Sequence, residues 1–295
     1  MPVRKAILIK GPGGTDALET GGEKDVHFME MFLRSAMGGA WLANEIVTLR
    51  NPSWERIQWE RDKSSADYSI TYFSGHGTAS GSESFLKIND FDLISEYSLL
   101  DASPRQLIIG DHCRSYLPAG MAGIQEEQEP FAQVEDWQAA RLIFDKAILG
   151  SPIGKTFVWA SAVGQKAFGG SSGSAFTLEL LELCHRWIGP KALSPIYVEE
   201  IIPKVGTVLD KGSCSQSPEF CSFEGRLRVP LALTTAVPIW FPAAGRNEGK
   251  AIRPVKLFPG YTGNLSNSTK ETPNSIPWLI AFGALALVSL CANKD

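Results

Sequence analysis

Two kinds of hydrophobic pattern alternate along the first two thirds of the chain. Short, nearly continuous apolar runs occur at "KAILI" (5–9), "EIVTLR" (45–50), "YSITYF" (68–73), "RQLIIG" (105–110) and "TFVWASA" (156–162). Runs of that length without polar alternation predict strands buried on both faces, as in a mainly parallel sheet. Between them lie stretches with helical periodicity. Over 25–43 the apolar rows Phe28, Phe32, Ala36, Ala40 and Met29, Leu33, Met37, Trp41 each step by four, predicting a helix with Asp25 as its N-cap. "NPSWERIQWER" places Pro52 at a helix start, 136–149 reads as helix, and 174–188 reads as helix capped by Ser174. This alternation predicts an α/β fold whose ligands bind at the carboxyl ends of the strands. From about residue 206 the text turns to Gly, Pro and Ser with short strands such as "RLRVPLALT".

The C-terminal pattern differs. Residues 276–292, "IPWLIAFGALALVSLCA", carry one plainly polar side chain, Ser289, behind the turn-rich "GYTGNLSNSTKETPNS". As a helix, 17 residues span about 25 Å, close to the thickness of a bilayer core. The predicted organisation is a globular domain over 1–261, a polar linker over 262–275 and a single-pass transmembrane anchor over 276–292, the competing reading being a helix docked on the domain. With no export signal read at the N-terminus, the domain is expected to be cytoplasmic and tethered to the membrane.

Composition narrows the function classes. The 295 residues are 44% hydrophobic and 20% charged with a net charge of −4, and no dense Lys/Arg stripe marks a nucleic-acid surface. The five cysteines (Cys113, Cys184, Cys214, Cys221 and Cys291) form no CxxC pair, so a zinc ribbon is not expected. Cys214 and Cys221 are near enough to bridge, but reduced thiols are the expected default.

The chemistry sits where two predicted strands end. "YFSGHGT" closes the third strand with His76 between glycines, and "DHCRSY" closes the fourth with Cys113. Both ends belong on one rim of the sheet. A cysteine attacks as thiolate, and a neighbouring imidazole can take its proton and return it to a leaving amine. Strand alternation turns His112 away from the side that Cys113 faces, giving it a structural or rim role. The N–H groups of Gly77 and Cys113 are the expected oxyanion donors. Between the two strands "ESFLKINDFDLI" is suited to a hairpin.

These two stretches resemble the His and Cys motifs of the caspase-like cysteine peptidases, the superfamily of caspases, metacaspases and prokaryotic relatives. "TFVWASAVGQKAFGGSSGSAFTLELLEL" is similar to the fifth strand, loop and helix of metacaspases, and "SQSPEF" (215–220) resembles their later Gln-Thr-Pro stretch. The resemblance covers about residues 3–235. It implies a three-layer sandwich with a mainly parallel six-stranded sheet and helices on both faces, with the apolar C-terminal helix added here. It also implies a cysteine endopeptidase with His76 as general base and Cys113 as nucleophile. Asp111, two before the nucleophile, would line the pocket for the residue before the scissile bond, and a carboxylate there favours Arg, then Lys. The alternative is that Asp111 only caps its turn. Asp25, with Asp16 as rival, would add a second carboxylate, and Ser161 with Ala162 a wall. Two departures stand out: a short His-to-Cys separation, and Arg114 where metacaspases carry His.

The implied partners are protein or peptide substrates with Arg or Lys before the cut. An upstream activating protease could act near the acidic run "IQEEQEP" (124–130). No cofactor is expected; calcium activation, found in many metacaspases, has no Asp-rich loop to mark it here. Two rival readings are a catalytically silent caspase-like scaffold at the membrane, and a nucleotide-binding protein using "KGPGGTD" (10–16). "GGSSGS" (169–174), before a helix, reads as a flexible pocket loop in preference to an anion site.

Overall fold

A computed structural model describes residues 1–63, 65–115, 136–187, 193–211, 216–223 and 228–234. All belong to one compact unit, Met1–Pro238. In order, the elements are β1 (Arg4–Lys10), α1 (Asp16–Arg34), β2 (Ile46–Arg50), α2 (Trp54–Asp62), β3 (Tyr68–Ser74), β4 (Gly77–Ser80), β5 (Glu83–Lys87), β6 (Leu93–Ser95), β7 (Arg105–Asp111), α3 (Trp137–Gly150), β8 (Gly154–Trp159), β9 (Gly169–Gly170), β10 (Gly173–Ser174), α4 (Ala175–Arg186), β11 (Pro195–Tyr197), α5 (Val198–Lys211), β12 (Glu219–Phe223) and β13 (Pro230–Leu233).

The central sheet has six strands in the order β12-β8-β7-β3-β1-β2. Five are mutually parallel, and β12 runs antiparallel against β8. The register of β3 on β7 sets Tyr72 beside Ile109 and Ser74 beside Asp111, so both strands end at the same level.

Alternation along these strands feeds two cores. Ala6, Leu8, Tyr72, Leu107, Ile109 and Val158 join the side chains of α1, α3, α4 and α5 on one face. Ile7, Ile9, Phe73, Ile108, Phe157 and Trp159 meet Ile57 of α2 and Leu86 of the small sheet β4-β5-β6 on the other. The expected mixed α/β sandwich is thus observed, with unequal outer layers. The hairpin expected at 83–94 forms as β5–β6 and gains a third strand, β4, directly after His76.

Several boundaries need correction. The first helix starts at Asp16, capped by the Thr15 hydroxyl accepting from the Leu18 N–H, and ends at Arg34. Asp25 is therefore a mid-helix residue and not an N-cap. Gly21 and Gly22 hide this start from a periodicity reading. Gly21 is required there because a Cβ would strike the carbonyl of Gly170. The helix stops at Ser35, whose backbone is extended and whose N–H and hydroxyl donate to the carbonyls of its last turn; the chain then turns through Gly39 (φ 97°) and Ala40 (φ 54°). In α2 the cap is Ser53, and in α3 it is Asp136. Helix α5, which contains Pro203, and strand β12 were not anticipated. Cys221 on β12 is disulfide-bonded, its partner lying outside the described residues, which corrects the expectation of reduced thiols there; Cys113 and Cys184 are free.

No helix among the described residues is long and apolar enough to cross a membrane. The polar linker, residues 276–292, the acidic run 124–130 and Cys214 lie outside the described residues.

Candidate functional site

The carboxyl ends of β1 and β3 border a cleft lined by Gly13, Asp25, Ser74, His76, Gly170 and Ser174, among others; Asp111 and Cys113, at the end of β7, are not among its lining residues. It holds about 310 Å³ of empty space, open solvent at its mouth included. Glycines from two loops supply much of its wall, so backbone lies close to any occupant.

His76 is half-buried at the edge of this cleft, two residues beyond the end of β3. Its Nε2 lies 2.8 Å from the carbonyl oxygen of Gly13. A carbonyl can only accept, so Nε2 carries the proton and Nδ1 is left as the basic nitrogen. Gly14 (φ 72°) adjoins this contact; a Cβ there would sit 3.1 Å from Nε2.

Cys113 lies two residues beyond β7, on the same face as Ile109 and Asp111, and is 2% exposed. Its Sγ accepts from the Ala167 N–H at 3.3 Å and donates to the Ala167 carbonyl at 3.6 Å. Burial raises its pKa, the Ala167 N–H lowers it, the charge of Asp111 raises it and Lys166 lowers it, with a net rise. Among the described residues no hydrogen bond joins His76 to Cys113. The sulfur is instead covered by residues 164–168. The Gly164 N–H donates to the Arg114 carbonyl, and the Arg114 N–H donates to the Gln165 carbonyl. Gln216 locks this segment from behind, accepting from the Phe168 N–H at 3.1 Å and donating to the Ala160 carbonyl at 2.8 Å.

The two neighbours of Cys113 point into the opposite core. The ring of His112 meets Phe73 edge-on at 6.0 Å and lies over Gly77 and Gly110. Burial pushes its pKa down to about 4, so it is neutral. Gly77, expected as an oxyanion donor, has this packing role: a Cβ there would collide with the His112 ring. Arg114 stacks 4.4 Å from the centre of the Trp159 ring, pairs with Glu219 at 2.7 Å and donates to Ser84 at 3.0 Å. Beside it Glu96 accepts from Trp159 Nε1 at 2.6 Å, and burial raises its pKa to about 7. Ser161 is wholly buried, its hydroxyl donating to the His112 carbonyl at 3.2 Å; it is not among the residues that line the cleft.

Two carboxyl groups are brought together here, Asp25 lining the cleft and Asp111 set behind Ser174 and Thr177 without lining it. Asp25, from the middle of α1, accepts from the Ser74 hydroxyl at 2.8 Å and the Ser174 N–H at 2.7 Å. Asp111 accepts from the hydroxyls of Ser174 and Thr177, the latter at 2.6 Å, and Tyr72 closes the network 2.6 Å from Thr177 Oγ1. Both carboxyls are buried, and Asp111 Oδ1 has no partner. Burial first, then the neighbouring Asp111, pushes Asp25 up to about 8; burial pushes Asp111 up to about 6. No cation pairs with either among the described residues. Asp16, by contrast, is an exposed residue of the first turn of α1 and takes no part.

Ser74, Ser174, Thr177 and Tyr72 complete this network; Ser174 is the helix cap expected from the sequence, while the other three carry no signal of their own there. Parity relative to His76 is the available signal for Ser74 and Tyr72. They sit two and four residues before His76, on the face that also carries Asp111 and Cys113.

The loops suspected of binding anions are occupied from within. The Gly13 N–H donates to Glu19 Oε2 at 2.8 Å, and the Ser174 N–H donates to Asp25. The carboxylates of the chain take the places a phosphate would need, which disfavours the nucleotide reading.

No family model matches the chain, and no curated protein matches it. Among solved structures, the crystal structure of caspase-1 from Spodoptera frugiperda is similar over 79% of this chain and 90% of its own, at 15% identity and a TM-score of 0.46. That likeness carries no weight for the chemistry, which rests on the residues above.

Proposed function

We propose that this chain is a cysteine endopeptidase of the caspase-like kind that cleaves proteins after Arg, with Lys second. The observation that carries the reading is the pair of buried carboxyls, Asp25 and Asp111, held without a cation under a cleft edged by His76. Two like groups that burial alone would keep protonated gain most from a guanidinium, whose positive charge offsets one ionised carboxylate and whose paired N–H groups suit bidentate binding.

In this reading His76 Nδ1 takes the proton from Cys113 Sγ, and the sulfur adds to the scissile carbonyl carbon. The developing oxyanion is stabilised by backbone N–H groups, those of Gly77 and Cys113 being the candidates. Collapse breaks the C–N bond, His76 passes its proton to the leaving amine, and a thioester remains on Cys113. Water, deprotonated by His76, then releases the new carboxyl terminus. Because the resting sulfur is covered by Ala167, the 164–168 segment has to lift before attack, which makes the described conformation a closed one.

The test is a fluorogenic peptide panel varying the residue before the scissile bond, run on wild type and Cys113→Ala, with mass-spectrometric mapping of labelling by a peptidyl chloromethyl ketone ending in Arg. Cleavage after Arg that vanishes in the variant, with the label on Cys113, is expected. Neither cleavage nor label would leave the silent scaffold as the surviving reading.

A further inference from the structure

The end of β1 contains an oddity that the proposed reaction does not use. Lys10 is 1% exposed, at the end of an interior strand of the sheet. A buried ammonium is costly unless it is paired. Its ion partners are Glu19, in direct contact, and Glu23 at 3.9 Å, both on α1. Glu19 is half exposed and would otherwise be free to swing. Held by Lys10 through Oε1, it turns Oε2 onto the Gly13 N–H at 2.8 Å. Gly13 in turn presents its carbonyl to His76 Nε2 at 2.8 Å. Four groups thus form a chain: the Lys10 ammonium, the Glu19 carboxylate, the Gly13 peptide and the His76 imidazole. Gly13 admits no alternative packing, since a Cβ there would run into the backbone of Glu19 itself.

We infer that Glu19, oriented by Lys10, is a positioning residue that fixes the 11–14 turn and thereby holds His76 as the Nε2–H tautomer with Nδ1 available as base. This rests on the peptidase reading for its functional meaning but not for its geometry. A turn that carries three glycines within residues 11–14 has little stiffness of its own. Without the carboxylate its carbonyl would wander, and the imidazole would lose the acceptor that decides which nitrogen is protonated.

The experiment uses the uniformly 15N-labelled full chain, with long-range 1H–15N spectra of the histidine rings; the His76 signals are assigned by their loss in His76→Gln. Wild type is expected to show His76 as a single Nε2–H tautomer. In Glu19→Ala the two ring nitrogens should move toward averaged shifts. In Glu19→Gln, which keeps an acceptor for the Gly13 N–H, they should return most of the way. On an Arg peptide, kcat should fall about tenfold in Glu19→Ala with KM within twofold, and recover in Glu19→Gln. An Nδ1–H tautomer in wild type, or unchanged His76 shifts in Glu19→Ala, overturns the inference, the first without need of any variant. If the tautomer responds but no peptide is cleaved by wild type, the latch stands and the peptidase reading falls. If cleavage is robust and Glu19→Ala changes neither tautomer nor kcat, the latch alone falls.

Discussion

The two ends of the central sheet both bury charge, and they do so in opposite ways. At the amino ends of the strands Arg4 reaches Asp145 at 2.8 Å through Nε, donates to the Gly39 carbonyl at 2.6 Å, and lies 5.4 and 5.0 Å from the rings of Trp41 and Phe144. Next to it Arg141 pairs with Glu45 at 2.5 Å and donates to the Ala40 carbonyl. Arg4 and Arg141 each have their anion. At the carboxyl ends Asp25 and Asp111 have hydroxyls and N–H groups but no cation. Burial therefore does not by itself mark a site. What marks it is a pair of buried carboxyls with no cation beside them among the described residues.

The same isosteric change should separate the two ends. Asp145→Asn removes the anion from a buried Arg4. Breaking such a pair costs about 3–5 kcal/mol, which for a domain of this size lowers Tm by about 10 °C. Preference among peptide substrates should not change. A thermal scan showing a shift of about 1 °C or less would mean that the amino-end network is not structural. At the other end, Asp111→Asn should leave Tm within a few degrees. It should cut the kcat/KM ratio of Arg over uncharged substrates by about 30-fold or more, the lower end of what loss of one buried charge partner costs. A retained preference would place the recognition of Arg elsewhere.

The smallest expected effect is in pH. Burial, then the neighbouring Asp111, pushes Asp25 up to about 8, and burial pushes Asp111 up to about 6. A folded-state pKa above the unfolded value means that the folded chain holds the proton more tightly. The stability this supplies is full below about pH 4 and is lost as pH rises through 6 and then 8. A bound guanidinium has the reverse dependence, because it wants both carboxylates ionised. Agmatine, titrated against the full chain, should bind several-fold more tightly at pH 8 than at pH 6, while Tm without ligand declines over the same range. Asp25→Asn should flatten the upper part of both trends; unchanged profiles would show that Asp25 is not the group titrating.

How much of this was legible beforehand depended on the physical signal. Four of the five parallel strands announce themselves because burial on both faces forces continuous apolar runs, and β2 shows such a run although it is a partly buried edge strand. Strand β12 gave no such signal: "EFCSF" lies on an edge and is only partly buried. The start of α1 is hidden because Gly21 and Gly22 are poor helix formers, Gly21 being required by the close approach of Gly170, a contact distant in sequence. His76 and Cys113 stood out from their glycine setting and strand-end position. The partners of Asp111 did not, since Ser174 and Thr177 come from a helix whose register on the sheet no local pattern encodes. Glu19 was invisible for the same reason: its role exists only once Lys10 and Gly13 are folded beside it.

Cys113 is flanked by two side chains, His112 and Arg114, each sunk in the core on the far side of the sheet. Its backbone is consequently pinned like a rivet, and the sulfur has little latitude to go and meet a scissile bond. All accommodation falls to the glycine-studded strip that carries Ala167 and Ser174. If the chain is the peptidase proposed, the fit of a substrate's shape would be adjusted through that strip, while the choice of Arg stays with Asp25 and Asp111 beneath it.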